Sequence, residues 1–486
     1  MPTRRRTLTL SAAALASLTG CLGDDGTADR EPTSSVPSSD PTATPTPAPT
    51  GTPTVADTDA PGETDEATAT RTDEQAPPDT VTRVSGDLPA WRPDRWIDVG
   101  YANVLGLDAD DRRLYVTAND EDGNSAVAAL SPGSGRFDWQ RSLAGDSEAG
   151  SHVEPTNRTD TWGVTVADGT VYSVNGRGDD YEWTAVHALT AATGTRRWSV
   201  ERDRRLAVHG FVDDAVVVGA TEFFEPESTH DTPEEPLETV VSALDTADGD
   251  ERWSTAVSGL SAVTVGADGV YVASGRTLSG FGPAGERRWE RELADEVRAT
   301  TALDDVVVAT VGPSDDESSL VGVSTAGETL WRVPMSTRWL VPAGDRVYVM
   351  NESVGAVTSD GTVAWRERAH GHYPLLSADG TRLYTRANVR MNAVDAYDLP
   401  GGDRRFRFVT PSNNGWPLAA TADTVVAEAI TPDEADFTSL FAVDATSGEP
   451  RAVYRPTDTV FTAQGFDGTL YVGFGDGRLG VFETVP

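Results

Sequence analysis

The chain has 486 residues, which is long enough for two or three ordinary domains or for one large repeat array with a substantial core. It contains 77 acidic and 39 basic residues, giving a net charge of −38, and all of the basic residues are arginines. A surface of this sign repels nucleic-acid phosphates and anionic lipid headgroups. The composition therefore argues against nucleic-acid binding and against membrane binding through a basic patch.

Acidity of this size in the absence of lysine resembles the proteins of extreme halophiles, in which concentrated salt screens the repulsion between carboxylates. We therefore expect a halophilic source. The alternative is an ordinary acidic secreted protein encoded by a GC-rich genome.

The first 21 residues, MPTRRRTLTLSAAALASLTGC, predict an export signal. Three arginines precede an apolar run over residues 8–18, which is far too short to cross a bilayer and has the length of a signal-peptide core. The arginines are Arg4, Arg5 and Arg6. Paired arginines at this place resemble a twin-arginine signal, which exports a chain that has already folded.

The sequence LTGC at the end of this stretch resembles a lipobox, in which Cys21 becomes the first mature residue and carries the lipid. We therefore expect anchoring to the outer face of the cytoplasmic membrane, with a plain secretory signal and an incidental cysteine as the alternative. Cys21 is the one cysteine of the chain, so the folded part can contain neither a disulfide framework nor a thiol nucleophile.

Residues 22–88 are rich in Thr, Ser, Pro, Asp and Glu and contain few apolar residues. A chain of this composition cannot bury enough apolar surface to offset the entropy cost of ordering. It predicts a disordered stalk between the anchor and a folded body that spans residues 89–486.

The body carries a repeated turn and aromatic motif, Ala-x-x-x-x-x-Gly-x-x-x-Trp, of which Ala243, Gly249 and Trp253 are one example. The spacing from Gly to the aromatic residue is constant, and the motif returns about every 35 to 60 residues, which indicates a repeat architecture. The aromatic residues are Trp139, Trp198, Trp253, Trp289, Trp331, Trp365 and Phe406. A further copy at Gly448 has Ala452 in the aromatic position and Tyr454 two residues later.

Each repeat has the pattern of a four-stranded antiparallel meander, with glycines where tight turns need a positive φ. The second strands, such as Val171-Tyr172-Ser173, can be aligned nine times. The ninth unit ends near Phe482 without an outer strand, whereas Arg95-Trp96-Ile97 forms an outer strand without a unit. Pairing the two would close a ring and remove its exposed edge.

This pattern resembles the PQQ-like β-propeller repeat, in which a tryptophan on the outer strand docks between neighbouring blades. The resemblance covers about residues 91–486 and implies an all-β propeller, usually of eight blades, whereas nine units are present here. It implies a blade-docking role for the seven aromatic residues above and for Trp96. The family includes quinoprotein dehydrogenases and the lipoprotein component of the outer-membrane assembly machinery. A haloarchaeon has no Gram-negative outer membrane, so that assembly role does not simply transfer.

Quinoprotein enzymes of this family hold Ca²⁺ beside PQQ and often carry two adjacent cysteines, but the body has no cysteine. Two weaker metal candidates are the His370-Gly371-His372 segment and the acidic turn at residues 120–124. Surface histidines and a solvated loop are the plainer interpretations. No catalytic residue is identified, and we expect no cofactor, with PQQ and calcium as the alternative.

Loop lengths distinguish the two faces of the predicted disc. The connections between second and third strands, and between successive repeats, share one face, and nearly all the length variation lies there. We call it the loop-rich face; variable loops on a rigid scaffold commonly carry binding. The longest connection between a second and a third strand contains Phe223 and Phe224 and is the candidate contact loop. Asn157 and Asn351 begin possible N-glycosylation sequons.

The sequence therefore predicts a lipid-anchored cell-surface propeller that acts as a non-enzymatic binding or scaffold module for an extracellular protein or glycan. An exported PQQ-dependent dehydrogenase is the alternative, and a glycan-binding or glycan-hydrolysing protein is a third possibility.

Overall fold

A computed structural model describes residues 80–119, 125–131, 135–143, 163–177, 183–222, 236–387, 392–411, 414–430, 438–483 and 485. These residues form nine blades of four antiparallel strands arranged as a β-propeller, with one additional parallel strand at the edge of one blade, and none of them is helical. The predicted fold class is confirmed, and the ring has nine blades rather than the usual eight of the family.

The strands are numbered in chain order. Two strands precede blade 1, namely β1 (Thr80–Arg83) and β2 (Arg95–Asp98). Blade 1 contains β3 (Asn103–Ala109), β4 (Leu114–Asn119), β5 (Ser125–Ser131) and β6 (Arg136–Ser142). Blade 2 contains β7 (Val164–Ala167), β8 (Thr170–Arg177), β9 (Trp183–Thr190) and β10 (Arg196–Arg202). Blade 3 contains β11 (Arg205–Val212), β12 (Ala215–Thr221), β13 (Glu238–Asp245) and β14 (Glu251–Ser258).

Blade 4 contains β15 (Leu260–Gly266), β16 (Gly269–Ser274), β17 (Thr277–Phe281) and β18 (Arg287–Glu292). Blade 5 contains β19 (Val297–Ala302), β20 (Val306–Val311), β21 (Ser319–Ser324) and β22 (Thr329–Val333). Blade 6 contains β23 (Trp339–Ala343), β24 (Arg346–Met350), β25 (Val354–Thr358) and β26 (Val363–Glu367).

Blade 7 contains β27 (Gly371–Leu376), β28 (Arg382–Ala387), β29 (Ala393–Asp398) and β30 (Asp403–Val409). Blade 8 contains β31 (Asn414–Ala420), β32 (Thr424–Ile430), β33 (Thr438–Asp444) and β34 (Pro450–Tyr454). Blade 9 contains β35 (Val460–Phe466), β36 (Thr469–Phe474) and β37 (Arg478–Phe482), and β2 is its fourth strand.

The ring closes where the two ends of the propeller meet. Strand β2 pairs antiparallel with β37, and the first strand of blade 1 contacts the first strand of blade 9. First strands also contact one another in most other neighbouring blades, so they form the inner wall of the ring. The predicted closure by an N-terminal strand on the C-terminal hairpin is therefore confirmed.

The hydrophobic core lies between blades rather than within them. Each blade turns one face of its strands toward the next blade, and between blades 1 and 2 the side chains of Tyr115, Ala129 and Trp139 form one cluster with Val171 and Leu189. All five are less than a tenth exposed. Burial of both faces explains the nearly continuous apolar runs of the second and third strands.

The repeated motif joins neighbouring blades through both of its fixed residues. In six blades the indole Nε1 of the tryptophan donates a hydrogen bond to a backbone carbonyl in the turn of the next blade. The pairs are Trp139 to Ala191 (2.9 Å), Trp198 to Thr246 (3.1 Å), Trp253 to Pro283 (2.9 Å), Trp289 to Thr325 (2.8 Å), Trp331 to Ser359 (2.8 Å) and Trp365 to Pro400 (3.0 Å). The ring then lies on the motif glycine of that next blade, where a side chain would collide with it: a Cβ on Gly361 would lie 2.5 Å from Cγ of Trp331.

Phe406 has the same place between blades 7 and 8, because a Cβ on Gly448 would lie 2.4 Å from its ring. The motif is thus a two-sided joint, with an aromatic residue that docks forward and a glycine that receives the preceding ring. The glycine is needed twice over, since its φ is also positive at 84° in Gly361 and 75° in Gly448.

Trp96 was expected to dock between blades 9 and 1, but the structure places it elsewhere. Trp96 pairs with Gly480, while Arg95 pairs with Val481, which faces blade 1. Arg95 instead takes the docking place, because a Cβ on Gly135 would lie 2.5 Å from Nη1 of Arg95. In blades whose fourth strand directly follows the third in the chain, the pairing of these two strands contains a β-bulge next to the aromatic residue. The pairing of β2 with β37 contains no bulge. A shift of one residue turns a side chain to the opposite face.

Residues 80–98, which we call the N-terminal strap, run across the outside of blades 7, 8 and 9. Strand β1 pairs parallel with β30 of blade 7, Ala90 bridges to Val453 of blade 8, and β2 completes blade 9. Val84 and Leu88 pack against the core between blades 7 and 8. Thr80, nine residues before the predicted boundary at 89, already lies in a strand of the described part of the chain.

Trp91 of the strap fills the gap that blade 8 leaves open. Its side chain is 2% exposed and belongs to the cluster between blades 8 and 9, with its ring centroid 4.3 Å from that of Phe482. Ala452, the small residue at the docking position of blade 8, is in the same cluster. The Trp91 amide donates to Val453 O at 2.7 Å, which fixes the strap there. Blade 8, which has a small residue in place of the motif aromatic, is therefore a regular blade, and the distant strap supplies the aromatic ring at its docking position.

Candidate functional site

Several sequence-predicted functional residues lie outside the described residues. They are the export and anchor residues Arg4, Arg5, Arg6 and Cys21, the contact-loop residues Phe223 and Phe224, the acidic turn at 120–124 and the sequon at Asn157. Their roles stay predictions. The part of the chain with described coordinates contains no helix that is long and apolar enough to cross a membrane.

The second sequon lies in a protected place. Asn351 is 6% exposed, and its Nδ2 donates to Asp316 Oδ1 and to Ser336 Oγ, both at 3.0 Å. N-glycosylation needs this nitrogen exposed on a surface loop. The folded protein therefore does not present Asn351 as a glycosylation site.

Among the described residues, a group of binding-type side chains lies on the loop-rich face, where the first strands of blades 6, 7 and 8 begin. We call it the arginine–aromatic patch. It consists of Arg338, Trp339, His372, Tyr373, Arg386 and Trp416. Arg338 directly precedes β23, His372 and Tyr373 lie in β27, Trp416 lies in β31, and Arg386 lies at the end of β28.

Three aromatic rings form a row across these blades. The Tyr373 ring centroid lies 5.6 Å from that of Trp339, at an interplanar angle of 44°, and 6.3 Å from that of Trp416, at 40°. Distances and tilts of this kind are the favourable ones for aromatic pairs. Tyr373 is 45% exposed and protrudes, whereas Trp339 beneath it is only 8% exposed.

Two of these rings each have a guanidinium group beside them. Cζ of Arg338 is 6.0 Å from the centroid of Trp339, and Cζ of Arg386 is 5.8 Å from that of Tyr373. Such cation–π contacts hold both the ring and the cation in place. Asp315 of blade 5 lies 3.7 Å from Nε of Arg338, but the same carboxylate accepts a 2.8 Å hydrogen bond from Arg298.

The charges that act on His372 are mainly positive. His372 is partly buried, and burial first, then the charges of Arg338 and Arg386, lower its pKa to about 4. A metal cation at the His370–His372 pair would meet the same repulsion. Among the residues with described coordinates, no group of three or more His, Cys, Asp or Glu side chains is placed to hold a metal ion.

Local backbone geometry fixes how Tyr373 is presented. Its φ is 51°, in the left-handed region that bulky residues rarely adopt, and the register of β27 shifts between His372 and Leu375. Such strain is concentrated at functional sites. Behind the patch, Trp416 Nε1 donates to the fully buried carboxylate of Glu428 at 2.9 Å, which orients the indole.

The sequence analysis missed this patch. It followed the turn and aromatic motif of the outer strands, whereas the patch comes from the first and second strands of three repeats. A signal was present, because Arg338-Trp339, His372-Tyr373 and Trp416 place aromatic and basic residues at the starts of the first strands of three successive repeats.

Comparison with known proteins identifies relatives of the fold. A family model described as "Outer membrane protein assembly factor BamB" matches residues 89–259 and 185–336, which together span slightly more than half of the chain. No curated protein matches the chain.

Three solved structures are similar to the chain at low identity. BamB from Moraxella catarrhalis is 14% identical, with a TM-score of 0.36, and the match covers 52% of this chain and 92% of that one. The computationally designed Ika8 protein is 15% identical, with a TM-score of 0.42, covering 66% of this chain and 94% of that one. Saccharomyces cerevisiae Sqt1 is 13% identical, with a TM-score of 0.46, covering 82% and 100%. Similarity at this level carries no argument about function.

Proposed function

Because the chain belongs to the PQQ-like β-propeller family, whose model is described as an outer membrane protein assembly factor, we propose that it is a non-enzymatic scaffold that binds a protein on its loop-rich face. The observation that carries the proposal is the arginine–aromatic patch. Tryptophan, tyrosine and arginine are the residues most enriched at the energetic centres of protein interfaces. Five of the six patch residues are of these types, and they lie together on the face that also has the variable loops.

The proposal includes a tether. Export would follow from Arg4, Arg5 and Arg6, and a lipid on Cys21 would hold the protein at the outer face of the cytoplasmic membrane. The stalk would then separate the propeller from the bilayer. The strap joins the ring at its outer edge, in blade 7, rather than on the patch itself. A tethered propeller can therefore keep the patch accessible to a partner.

A quinoprotein dehydrogenase is not favoured. Its Ca²⁺ would need several oxygen ligands, and the described residues contain no such group of acidic side chains. The absence of any cofactor stays a prediction. Adding PQQ and Ca²⁺ to the purified protein tests it, since a stoichiometric quinone absorbance with dye reduction by alcohols or sugars would establish the enzyme and overturn the scaffold.

Site-specific photo-crosslinking in intact cells tests the scaffold proposal. A photoreactive amino acid is placed at Glu352, in the loop-rich turn of blade 6, and in a matched control at Asp360, in the opposite turn of the same blade. Both positions are exposed. We expect a discrete protein adduct from Glu352 and none from Asp360. Equal adducts from both positions, or none from Glu352, would overturn binding through the loop-rich face.

A further inference from the structure

The outer strands of the blades form the rim of the propeller, and each of them exposes one sheet edge. An exposed edge carries unpaired backbone N–H and C=O groups, on which another chain can add a strand. Proteins blunt such edges with β-bulges, which bend the strand, and with charged side chains. A blade whose outer strand lacks these features is a candidate for pairing with another chain.

Strand β1, the outer strand of blade 7, has neither a bulge nor a carboxylate. In blades 1 to 6 and in blade 8, the pairing of the outer strand with its neighbour contains a bulge. Strand β2 of blade 9 has no bulge, but it ends in Asp98. Strand β1 pairs with β30 without a bulge, and its sequence TVTR has one charge, on Arg83 at its end. Among the described outer strands, β1 is therefore the one with an uninterrupted edge and no negative charge.

Strand β1 is also held firmly in place. Thr82 Oγ1 donates a hydrogen bond to the carbonyl oxygen of Gly448 in blade 8, and Val84 packs against the core between blades 7 and 8. The strand is a fifth one on a blade that already has four, so it is not needed to complete that blade. Its outer edge is pre-ordered, and pairing with another strand would therefore cost little further loss of chain entropy.

The sequence of β1 is complementary to itself. Val81 is 48% exposed, and among the large apolar side chains that the structure describes only Leu330, at 50%, is more exposed. An antiparallel pair of β1 strands centred on Val81 would place this residue opposite its own copy and Thr80 opposite Thr82. Pairs of β-branched and threonine side chains stabilise antiparallel sheets. The two Arg83 side chains would lie at opposite ends of the pair, as a twofold contact with little repulsion requires.

We propose that the edge of β1 is a self-association surface, on which a second copy of this chain adds its own β1 antiparallel and centred on Val81. The contact is short, and two chains with a net charge of −38 repel each other. Salt shortens the screening length from about 10 Å at 0.1 M to about 3 Å at 1 M, so the association should strengthen as salt rises. The proposal does not depend on the arginine–aromatic patch or on the scaffold function.

Disulfide trapping in about 2 M salt tests the register of the pair. The full-length chain carries Cys21→Ser, so that an introduced cysteine is its only thiol, and oxidised glutathione is the oxidant. Opposite Cβ atoms lie about 4.5–5.5 Å apart, which is close enough for trapping. We expect Val81→Cys to form dimers alone, and Thr80→Cys and Thr82→Cys to form them mainly when these two variants are mixed. The matched control is Leu330→Cys, on the outer strand of blade 5.

We expect Val81→Cys to dimerise at least about fivefold faster than Leu330→Cys. Equal rates at these two positions, or no gain when the Thr80 and Thr82 variants are mixed, would overturn the proposal.

Sedimentation velocity in the same salt tests the association without a disulfide. Val81→Asp would place two carboxylates opposite each other and should abolish the wild-type dimer, whereas Leu330→Asp adds the same charge elsewhere and should leave it intact. Unchanged thermal unfolding shows that both variants fold. A wild-type chain that stays monomeric at every concentration, or a dimer that persists in Val81→Asp, would overturn the proposal. The adduct at Glu352 tests the scaffold function separately.

Discussion

Replacing Trp91 by Ala is expected to destabilise the propeller far more than replacing Trp96 by Ala. The two residues lie five positions apart in the same strap, and the sequence pattern favours the reverse order, because Trp96 belongs to the predicted docking set. Trp91 is 2% exposed and closes the gap between blades 8 and 9, whereas Trp96 is 38% exposed and lies beside Phe474 and Arg478.

The magnitude follows from burial. A tryptophan side chain buries about 200 Å², which at about 25 cal/mol per Å² corresponds to about 5 kcal/mol as an upper value. Truncation of buried Trp91 also leaves a cavity that rigid sheets cannot close, so we expect a loss of about 3–5 kcal/mol. Trp96→Ala removes less buried area and leaves no enclosed cavity, so its expected cost is about 1–2 kcal/mol.

Urea unfolding at one fixed salt concentration measures the difference. Both variants should unfold with the wild-type dependence on urea and differ in midpoint, with Trp91→Ala the lower. A Trp96→Ala variant that is as destabilised as Trp91→Ala would refute the role of the strap as the missing wedge of blade 8. If the dependence of the unfolding free energy on urea changes in either variant, the strap detaches separately from the ring. Its release would then be followed directly, by fluorescence of the remaining strap tryptophan.

Three further predictions follow from the same structure. Gly361→Ala should lower the free energy of unfolding by about 1–3 kcal/mol more than Gly380→Ala. Both substitutions place Ala at a positive φ, but only the first collides with Trp331. Calorimetry that shows an equal loss of stability in both variants would contradict the packing of the tryptophan on the motif glycine. Burial lowers the pKa of His187 to about 4, so the free energy of unfolding should fall by up to about 3 kcal/mol as pH drops from about 6.5 toward 4. His187→Leu should reduce this loss of stability at acid pH, and an unchanged pH dependence would contradict the assignment. Lowering salt from about 2 to 0.1 M should reduce the melting temperature through carboxylate repulsion, and a constant value would reject the halophilic interpretation.

The ring architecture could be predicted from the sequence because its joints are local. The glycine and the aromatic residue lie four positions apart in one hairpin, so the spacing reports directly on a turn and on the side chain that follows it. Closure could be predicted as well, since an unpaired strand at each end is visible as a missing partner.

What the sequence concealed is long-range geometry. Whether Arg95 or Trp96 faces blade 1 depends on the lack of a bulge in β2, and a bulge between strands about 380 residues apart leaves no local mark. That Trp91 compensates for Ala452 depends on the path of the strap. The patch is assembled from three repeats, and its rings and guanidinium groups meet only through the curvature of the ring.

The strap also determines when the propeller can be finished. Blade 9 takes its outer strand from residues 95–98 and its other three from residues 460–482, so the earliest part of the body must wait for the last part to be synthesised. Contacts this far apart in the chain close slowly, because the entropy of the intervening loop opposes them until the other blades are in place. Until then the apolar Trp91 surface stays uncovered on the nascent protein, and the ring cannot be complete before the last blade has been translated.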